Sequence, residues 1–409
     1  LFASFKVSGQ SSNPPFKPQA SPQAPNSAVL AKFGDYSVSY FTGVPDISIP
    51  LYDIKTGNLG MPISLKYHAS GIKVTDVSSW VGLGWALDAG GQVYRKVMGA
   101  KEDEEAAGNG YLQQRIRLYS EIDNYNPDDQ MYLEQMFNNY YDTEPDIYSY
   151  NFPGGGGKFF LNRFNNYQPE PIPFSPIKIQ RTGSNQAFHI VDQSGNSYDY
   201  GTKEMTFTGS GANSRNIWSA CMLDSITSVE GMNSIKFKYT NQNTTSEWED
   251  IQDTWAVDDN IIYYGDMVNE PHGSYYHTNQ VAALTSTPIG VNTAEQALQE
   301  INFKNGKVIF ERSGSAREDM GNSRSLSSIK IYSYDFSTNQ YRIIRTVSFF
   351  QSYFEQGTDH SRLRLDSIHL RNNVNNTIER YSFVYNSLAL PKTNSRARDF
   401  WGYYNGRSN

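Results

Sequence analysis

The stretch Trp80-Val-Gly-Leu-Gly-Trp85-Ala-Leu-Asp88-Ala-Gly-Gly91-Gln-Val-Tyr-Arg95 constrains the fold of this chain more than any other. Four glycines and two tryptophans fall within sixteen residues, interleaved with Val81, Leu83, Leu87 and Val93. Bulky anchors alternating with positions that carry no side chain describe backbone packed against aromatic rings, at bends or bulges of a sheet. Asp88 and Arg95 are its only residues charged at neutral pH, and it holds no His or Cys. The segment therefore reads as structural, with Trp80, Gly82, Gly84, Trp85, Gly90, Gly91 and Arg95 as the residues expected to carry fold integrity.

Composition agrees with a sheet protein. Aromatic residues make up 14% of the 409 residues, including 29 Tyr, while hydrophobic residues reach only 38% and charged residues 19%. Tyr, Thr and Phe favour pleated, half-buried surfaces, and the abundant Asn, Gly and Ser favour the turns between strands. A mainly β fold of antiparallel sheets and repeated hairpins, with a few short helices, is the expected class. The formal charge of −7 and the lack of basic runs argue against a nucleic-acid surface. Cys221, alone among apolar neighbours, is expected to be a buried structural thiol. No apolar run reaches the ~18–20 residues that span a bilayer as a helix.

Four regions are expected. In 1–28, the apolar-then-small start up to Gln10 has the pattern of a signal-peptide remnant, and Ser11–Ser27 holds five prolines, the composition of an extended linker. Region 29–100 is a β region with strands near 36–41, 47–54 and 61–67, followed by the Trp/Gly segment. Region 101–150 is a helical insertion. Leu112, Ile116 and Tyr119 have helical spacing, as do Met136 and Tyr140 after the acidic pair Asp128-Asp129. Region 151–409 is rich in hairpins, with strands near 158–162, 186–191, 197–200, 204–207, 217–229 and 234–239. It carries a long loop insertion over about 240–300, and a third helix at Thr293–Ile301 suggested by the Thr293/Gln296 capping box.

Three hairpins resemble one another. Leu223-Asp-Ser-Ile226, Leu326-Ser-Ser-Ile329 and Leu365-Asp-Ser-Ile368 each open an entry strand, and an exit strand rich in Phe or Tyr follows. Such repetition suggests a stacked or spiralling sheet in which each hairpin covers its neighbour.

Together these pieces resemble the N-terminal region of Rhs/YD-repeat proteins of the Bacteroidota. The resemblance is carried by Gly43–Tyr52, Leu59–Tyr67, Gly71–Val74, Trp80–Arg95, Glu144–Phe152, Gly157–Phe160, Asp192–Gly201, the Leu-x-Ser-Ile hairpins and the closing Asp399–Gly406 with Trp401 and Gly402. It implies a secreted or cell-surface chain, and a region that starts or caps a hollow β shell enclosing or displaying a C-terminal toxin or effector. Its partners would then be the downstream YD-repeat shell and effector of the same polypeptide. The chain lacks an extended YD array and an Rhs core motif, so it is expected to be a leading portion of a longer protein.

Reactive motifs fare poorly. Asn151–Lys158 fails the phosphate-loop pattern, because Phe152 stands where a Gly is needed and Phe159 where Ser or Thr is needed. His272 and His277 lack the spacing of a zinc site, and no Gly-x-Ser-x-Gly elbow occurs. Acidic clusters at Glu102–Glu105, Asp128-Asp129, Glu247–Asp250 and Asp258-Asp259 read as solvated loop charge, with Asp258 and Asp259 the first residues to consider for calcium. No cofactor is expected, and the expectation is a non-catalytic module. The alternative is a surface module that binds a glycan or a cell-surface protein through loop aromatics, Trp248, Trp255, Tyr263 and Tyr264. A carboxylate-dependent glycoside hydrolase ranks below both.

Overall fold

The structure, a computed structural model, describes residues 47–99, 102–103, 109–113, 117–123, 125–138, 140–182, 187–208, 215–251, 261–264, 274–277 and 286–407. The strand expected at 36–41 lies outside these. Among the described residues, those up to Ser246 and from Gly290 onward form one compact unit, and Glu247–Ile289 belong to another. The latter contains the hairpin of β13 (Ile261–Tyr264) and β14 (Ser274–His277), paired Ile261 to His277.

The larger unit holds two sheets. The first is three-stranded and antiparallel: β1 (Ile47–Thr56), β2 (Leu59–Tyr67) and β3 (Trp85–Asp88). Apolar residues alternate along β2, so Leu59, Met61, Ile63 and Leu65 all point inward. The second sheet begins with β4 (Gln92–Lys96), β5 (Ile147–Phe152), β6 (Gly155–Asn162), β7 (Gln168–Ile172), β8 (Lys178–Thr182), β9 (Ala187–Val191), β10 (Ser197–Thr208), β11 (Arg215–Thr227) and β12 (Ser234–Ile251). It continues with β15 (Ser286–Phe303), β16 (Gly306–Arg312), β17 (Leu326–Asp335), β18 (Gln340–Phe354), β19 (Arg362–Asn372) and β20 (Thr377–Ser382). Its main path runs β20-β19-β18-β17-β16-β15-β10-β11-β4-β5-β6-β7. Inward residues of both sheets, among them Leu51, Met61, Trp80, Trp85, Phe159 and Leu365, form a single core.

At the centre of the path the strands close on themselves. β10 pairs with β11, β11 with β12, β12 with β15 and β15 with β10. The β4–β7 arm leaves this circuit from β11, and the β16–β20 arm leaves it from β15.

The Leu-x-Ser-Ile repeat has a definite structural meaning. A regular strand cannot bury two residues three apart, because successive side chains alternate faces. In all three copies the ladder skips the second residue. Asp224 is passed over between Leu223 and Ser225, Ser327 between Leu326 and Ser328, and Asp366 between Leu365 and Ser367. That extra residue is a β-bulge, and it turns both the Leu and the Ile inward, each at most 3% exposed. Two of the bulge side chains bond to the adjacent strand: Asp224 accepts from Thr202 N and Oγ1 at 3.1 and 2.6 Å, and Ser327 Oγ donates to Glu311 O at 2.9 Å.

Several expectations need correction. The helix expected at Thr293–Ile301 is strand β15, in which Thr293, Glu295 and Ala297 are buried alternately. Pairing with β10 overrides the local capping signal, and Thr206 faces Thr293 across the ladder with their hydroxyls 3.4 Å apart. The insertion at 240–300 is accordingly two strands of 18 residues, β12 and β15, plus the β13–β14 hairpin. Within 101–150 only one α-helix forms among the described residues, α1 (Pro127–Phe137). Its N-cap is Asn126, whose Oδ1 accepts from Asp128 N, and Asp128 and Asp129 occupy its first turn. The spacing at Leu112 and Tyr119 yields a turn and one 3₁₀ turn, Tyr119–Glu121. The strands expected separately at 197–200 and 204–207 are one bulged strand, β10.

Candidate functional site: the strap at residues 80–91

The Trp/Gly segment is where the chain leaves the first sheet, at the end of β3, and enters the second, at β4. Ser79 organises its start: Oγ accepts from Val81 N at 3.1 Å and donates to Trp85 O at 2.5 Å. Two buried arginines hold the approach. Arg317 Nη2 donates to Ser78 O at 3.0 Å, and Arg362 Nη2 donates to Val74 O at 2.8 Å. Asp319 pairs with both Nε and Nη2 of Arg317 and accepts from Leu363 N at 2.8 Å. This bidentate pair is the strong form of an ion pair and fixes orientation as well as charge.

From there the segment crosses all three bulged hairpins. Trp80 O accepts from Leu326 N at 2.9 Å, and Gln351 Nε2 donates to Val81 O at 2.7 Å. Leu83 N donates to Leu363 O at 2.8 Å, while Gly82 lies so close to the third bulge that a Cβ there would sit 2.9 Å from Leu365 N. Gly91 O accepts from Leu223 N at 3.0 Å, extending the β4–β11 ladder to the first bulge. Trp85 completes the contact with the third hairpin. Its Nε1 donates to Tyr385 Oη at 2.9 Å, and Tyr385 Oη donates onward to Leu365 O at 2.6 Å. The Trp85 ring packs between Phe383 and Tyr67, with centroids 4.5 and 5.0 Å away. Burial pushes the Tyr385 hydroxyl well above its ordinary value, so it stays a neutral donor.

Two further glycines are required, for different reasons. Gly84 has φ +77°, and a Cβ there would lie 2.8 Å from the Tyr67 ring. Gly91 has no such strain, but a Cβ would lie 2.4 Å from Asn151 O on the neighbouring strand.

Arg95, at the end of the segment, is buried. Its Nε donates to Asp146 at 2.7 Å, Nη2 lies 2.6 Å from the same carboxylate oxygen, Nη1 donates to Glu102 at 3.2 Å, and the guanidinium lies 5.2 Å from the Trp218 ring centre. Burial opposes its charge, but Tyr148, Asp146 and Glu102 together hold it fully protonated.

Beside the strap lies a cavity of about 70 Å³, lined by Trp80, Gly90, Gln92, Glu204, Tyr239 and Gln296 among others. Its polar members are engaged in the fold. Tyr239 Oη donates to Leu223 O at 2.7 Å, and Glu204 Oε1 accepts from Ser219 Oγ at 3.1 Å. Continuing the β10–β15 register by one residue sets Glu204 against Glu295, with Thr206 and Thr293 beside them; all four are buried. These carboxylates escape a sequence reading because Met205 and Phe207 look like the inward pair of β10. In the structure Glu204 and Thr206 are buried and Phe207 is 40% exposed. Two acidic residues on adjacent strands could be paired from sequence only with the register in hand.

The remaining expected positions are scattered. Gly402 O accepts from Val74 N at 2.9 Å, which ties the closing motif to the loop before the strap, whereas Trp401 is exposed. Cys221 is fully buried and its thiol is pushed up to about 12. Trp248 lies in β12 and Tyr263 and Tyr264 in β13, where only the backbone is described; Trp255, Asp258, Asp259 and His272 lie outside the described residues. Gly154 forms the β5–β6 turn and Gly155–Gly157 open β6, so the glycine run is a hairpin. Among the described residues, no group of three or more His, Cys, Asp or Glu is placed to hold a metal ion.

No family model matches the sequence, and no curated protein matches it. One solved chain, described as the crystal structure of TcdB2-TccC3-TEV, is similar over 94% of this chain and 17% of its own length, at 13% identity and a TM-score of 0.40. This chain therefore spans under a fifth of that one.

Proposed function

We propose that this chain is a non-catalytic structural segment of an exported Rhs/YD-repeat-type protein, starting or capping a β shell that encloses or displays an effector. One observation carries the reading: the strap at residues 80–91 spends its polar groups on the three bulged Leu-x-Ser-Ile hairpins and on the junction of two sheets. A repetitive sheet is stable only when its units are locked to one another and its end is covered. The strap does both within one short stretch. Its glycines and tryptophans serve close packing and offer no nucleophile or general base.

The coding sequence beyond Asn409 tests this reading. YD repeats following in frame are the expected result, and an immediate stop codon would overturn it. A glycan array provides the second arm. Absence of binding is expected, and binding abolished by Trp255→Ala would shift the function to glycan recognition.

A further inference from the structure

The closing motif ties itself to the fold yet turns its two largest side chains to solvent. Residues 397–405 form a tight hairpin: Asn405 N donates to Ala397 O, Asp399 N donates to Tyr403 O, and the Asp399 carboxylate accepts from Trp401 N and Tyr403 N at 2.9 Å each. Bridges from Lys73 to Tyr403 and from Arg398 to Tyr404, with Tyr403 Oη donating to Ser70 O at 3.1 Å, anchor its base. At the apex Phe400 is 93% and Trp401 67% exposed, their rings edge to face at 5.0 Å. Rings held at the tip of a braced turn are already ordered, so placing them in a partner costs little further entropy.

Basic side chains outnumber acidic ones in and beside the hairpin, three to the one of Asp399. Arg396, Arg398 and Arg407 lie in or beside the hairpin, and none is paired with a carboxylate among the described residues. The carboxylate of Asp399 is engaged with backbone N–H groups. This local excess of positive charge stands on a chain whose formal net charge is −7.

We propose that the Phe400–Trp401 tip is a docking site for an anionic phospholipid bilayer. A convex apex suits a planar, deformable surface better than a protein pocket, whose anchors sit in a packed and desolvated centre. Indole and phenyl rings settle at the headgroup boundary, and guanidinium groups bind lipid phosphate in bidentate fashion. One apolar anchor holds a membrane weakly, and the flanking arginines supply the second signal. This surface does not depend on the shell role proposed above.

The test is co-sedimentation of the 409-residue chain with phosphatidylcholine vesicles, with and without phosphatidylglycerol. Binding is expected only with phosphatidylglycerol. It should be released when salt rises from about 0.1 to about 1 M, which shortens the screening length from ~10 to ~3 Å. A Phe400→Ser/Trp401→Ser variant should lose at least about tenfold in partitioning, and each Arg→Gln change at 396, 398 or 407 about fivefold. Thermal melts of these variants should match the parent, since the altered side chains are partly or fully exposed. If the serine variant melts early, the triple Arg→Gln variant carries the test, because it keeps the Asp399 hydrogen bonds. No binding to either vesicle, equal binding to both, or binding unchanged in the variants would overturn the proposal. Capture by immobilised polyglutamate without capture by vesicles would overturn it in favour of an acidic protein partner.

Discussion

At the scale of single residues, the strap depends on a few atoms that have no substitutes. Gly84→Val places a β-branched residue at φ +77° and a Cβ against Tyr67, and should cost about 2–5 kcal/mol. Trp85→Ala removes a buried ring and should cost about 3–5 kcal/mol. Tyr385→Phe leaves Trp85 Nε1 and Leu365 O without their shared partner, for about 1–3 kcal/mol. Urea denaturation checks all three, and unchanged melting of the Gly84 and Trp85 variants would refute the role given to the strap. Cys221 provides a chemical test of burial. Its thiol is pushed up to about 12 by desolvation, so a thiol reagent at about pH 8 should leave the folded protein unlabelled and react only on unfolding. The importance of Trp85 and Gly84 was legible in the sequence, because only close backbone packing calls for glycine beside tryptophan. The partner of Trp85 was not. Tyr385 lies 300 residues away, and no local pattern links them.

At the scale of elements, the bulges decide what the repeated hairpins bury. Deleting Ser327 from β17 would leave Leu326 and Ile329 two residues apart, so that a regular strand without the bulge still turns both inward. The expected loss, measured by equilibrium denaturation, is about 1 kcal/mol for the deletion and for Ser327→Ala alike, since each removes the Ser327 hydrogen bond to Glu311 O and keeps both apolar residues buried. The repeat itself was visible in sequence as Leu-x-Ser-Ile. A spacing of three between inward residues is the mark of a bulge once the segment is known to be a strand. The helical element makes a separate prediction. Asp129 accepts from Arg117 and from Asp123 N, and its carboxyl lies below its ordinary 3.8, chiefly through the Arg117 hydrogen bond. A carboxyl lowered by folding stabilises above its unfolded value and loses that contribution as pH falls through the lowered folded value. Amides of α1 and the 117–123 turn should therefore lose hydrogen-exchange protection below about pH 4 while β17–β19 keep theirs. α1 was legible from the acidic start Asp128-Asp129, while its Asn126 cap and its end at Phe137 came from the structure. The Thr293 capping box looked equally good and proved misleading, because pairing with β10 was worth more than the cap.

At the scale of the whole molecule, both sheets of the larger unit share one hydrophobic core, and the strap is their covalent and packed junction. Far-UV circular dichroism and tryptophan fluorescence should thus report one coincident unfolding transition for that core. Gly91→Val, which drives a Cβ into Asn151 O, should lower the midpoint and let fluorescence change before circular dichroism. Coincident, unshifted transitions in that variant would show that the junction does not couple the sheets. Local pattern in the sequence sufficed for the class of fold, for β1 and β2 of the first sheet and for the three Leu-x-Ser-Ile hairpins of the second. These follow from alternation, turn residues and glycine placement, all of which are local. Only the tertiary structure decided that β10, β11, β12 and β15 close into a circuit, that Glu204 and Glu295 are buried there while Phe207 faces outward, and that Trp401 stands in solvent. Burial is a property of a residue's neighbours, and in this chain the neighbours that matter are strands tens to hundreds of residues apart.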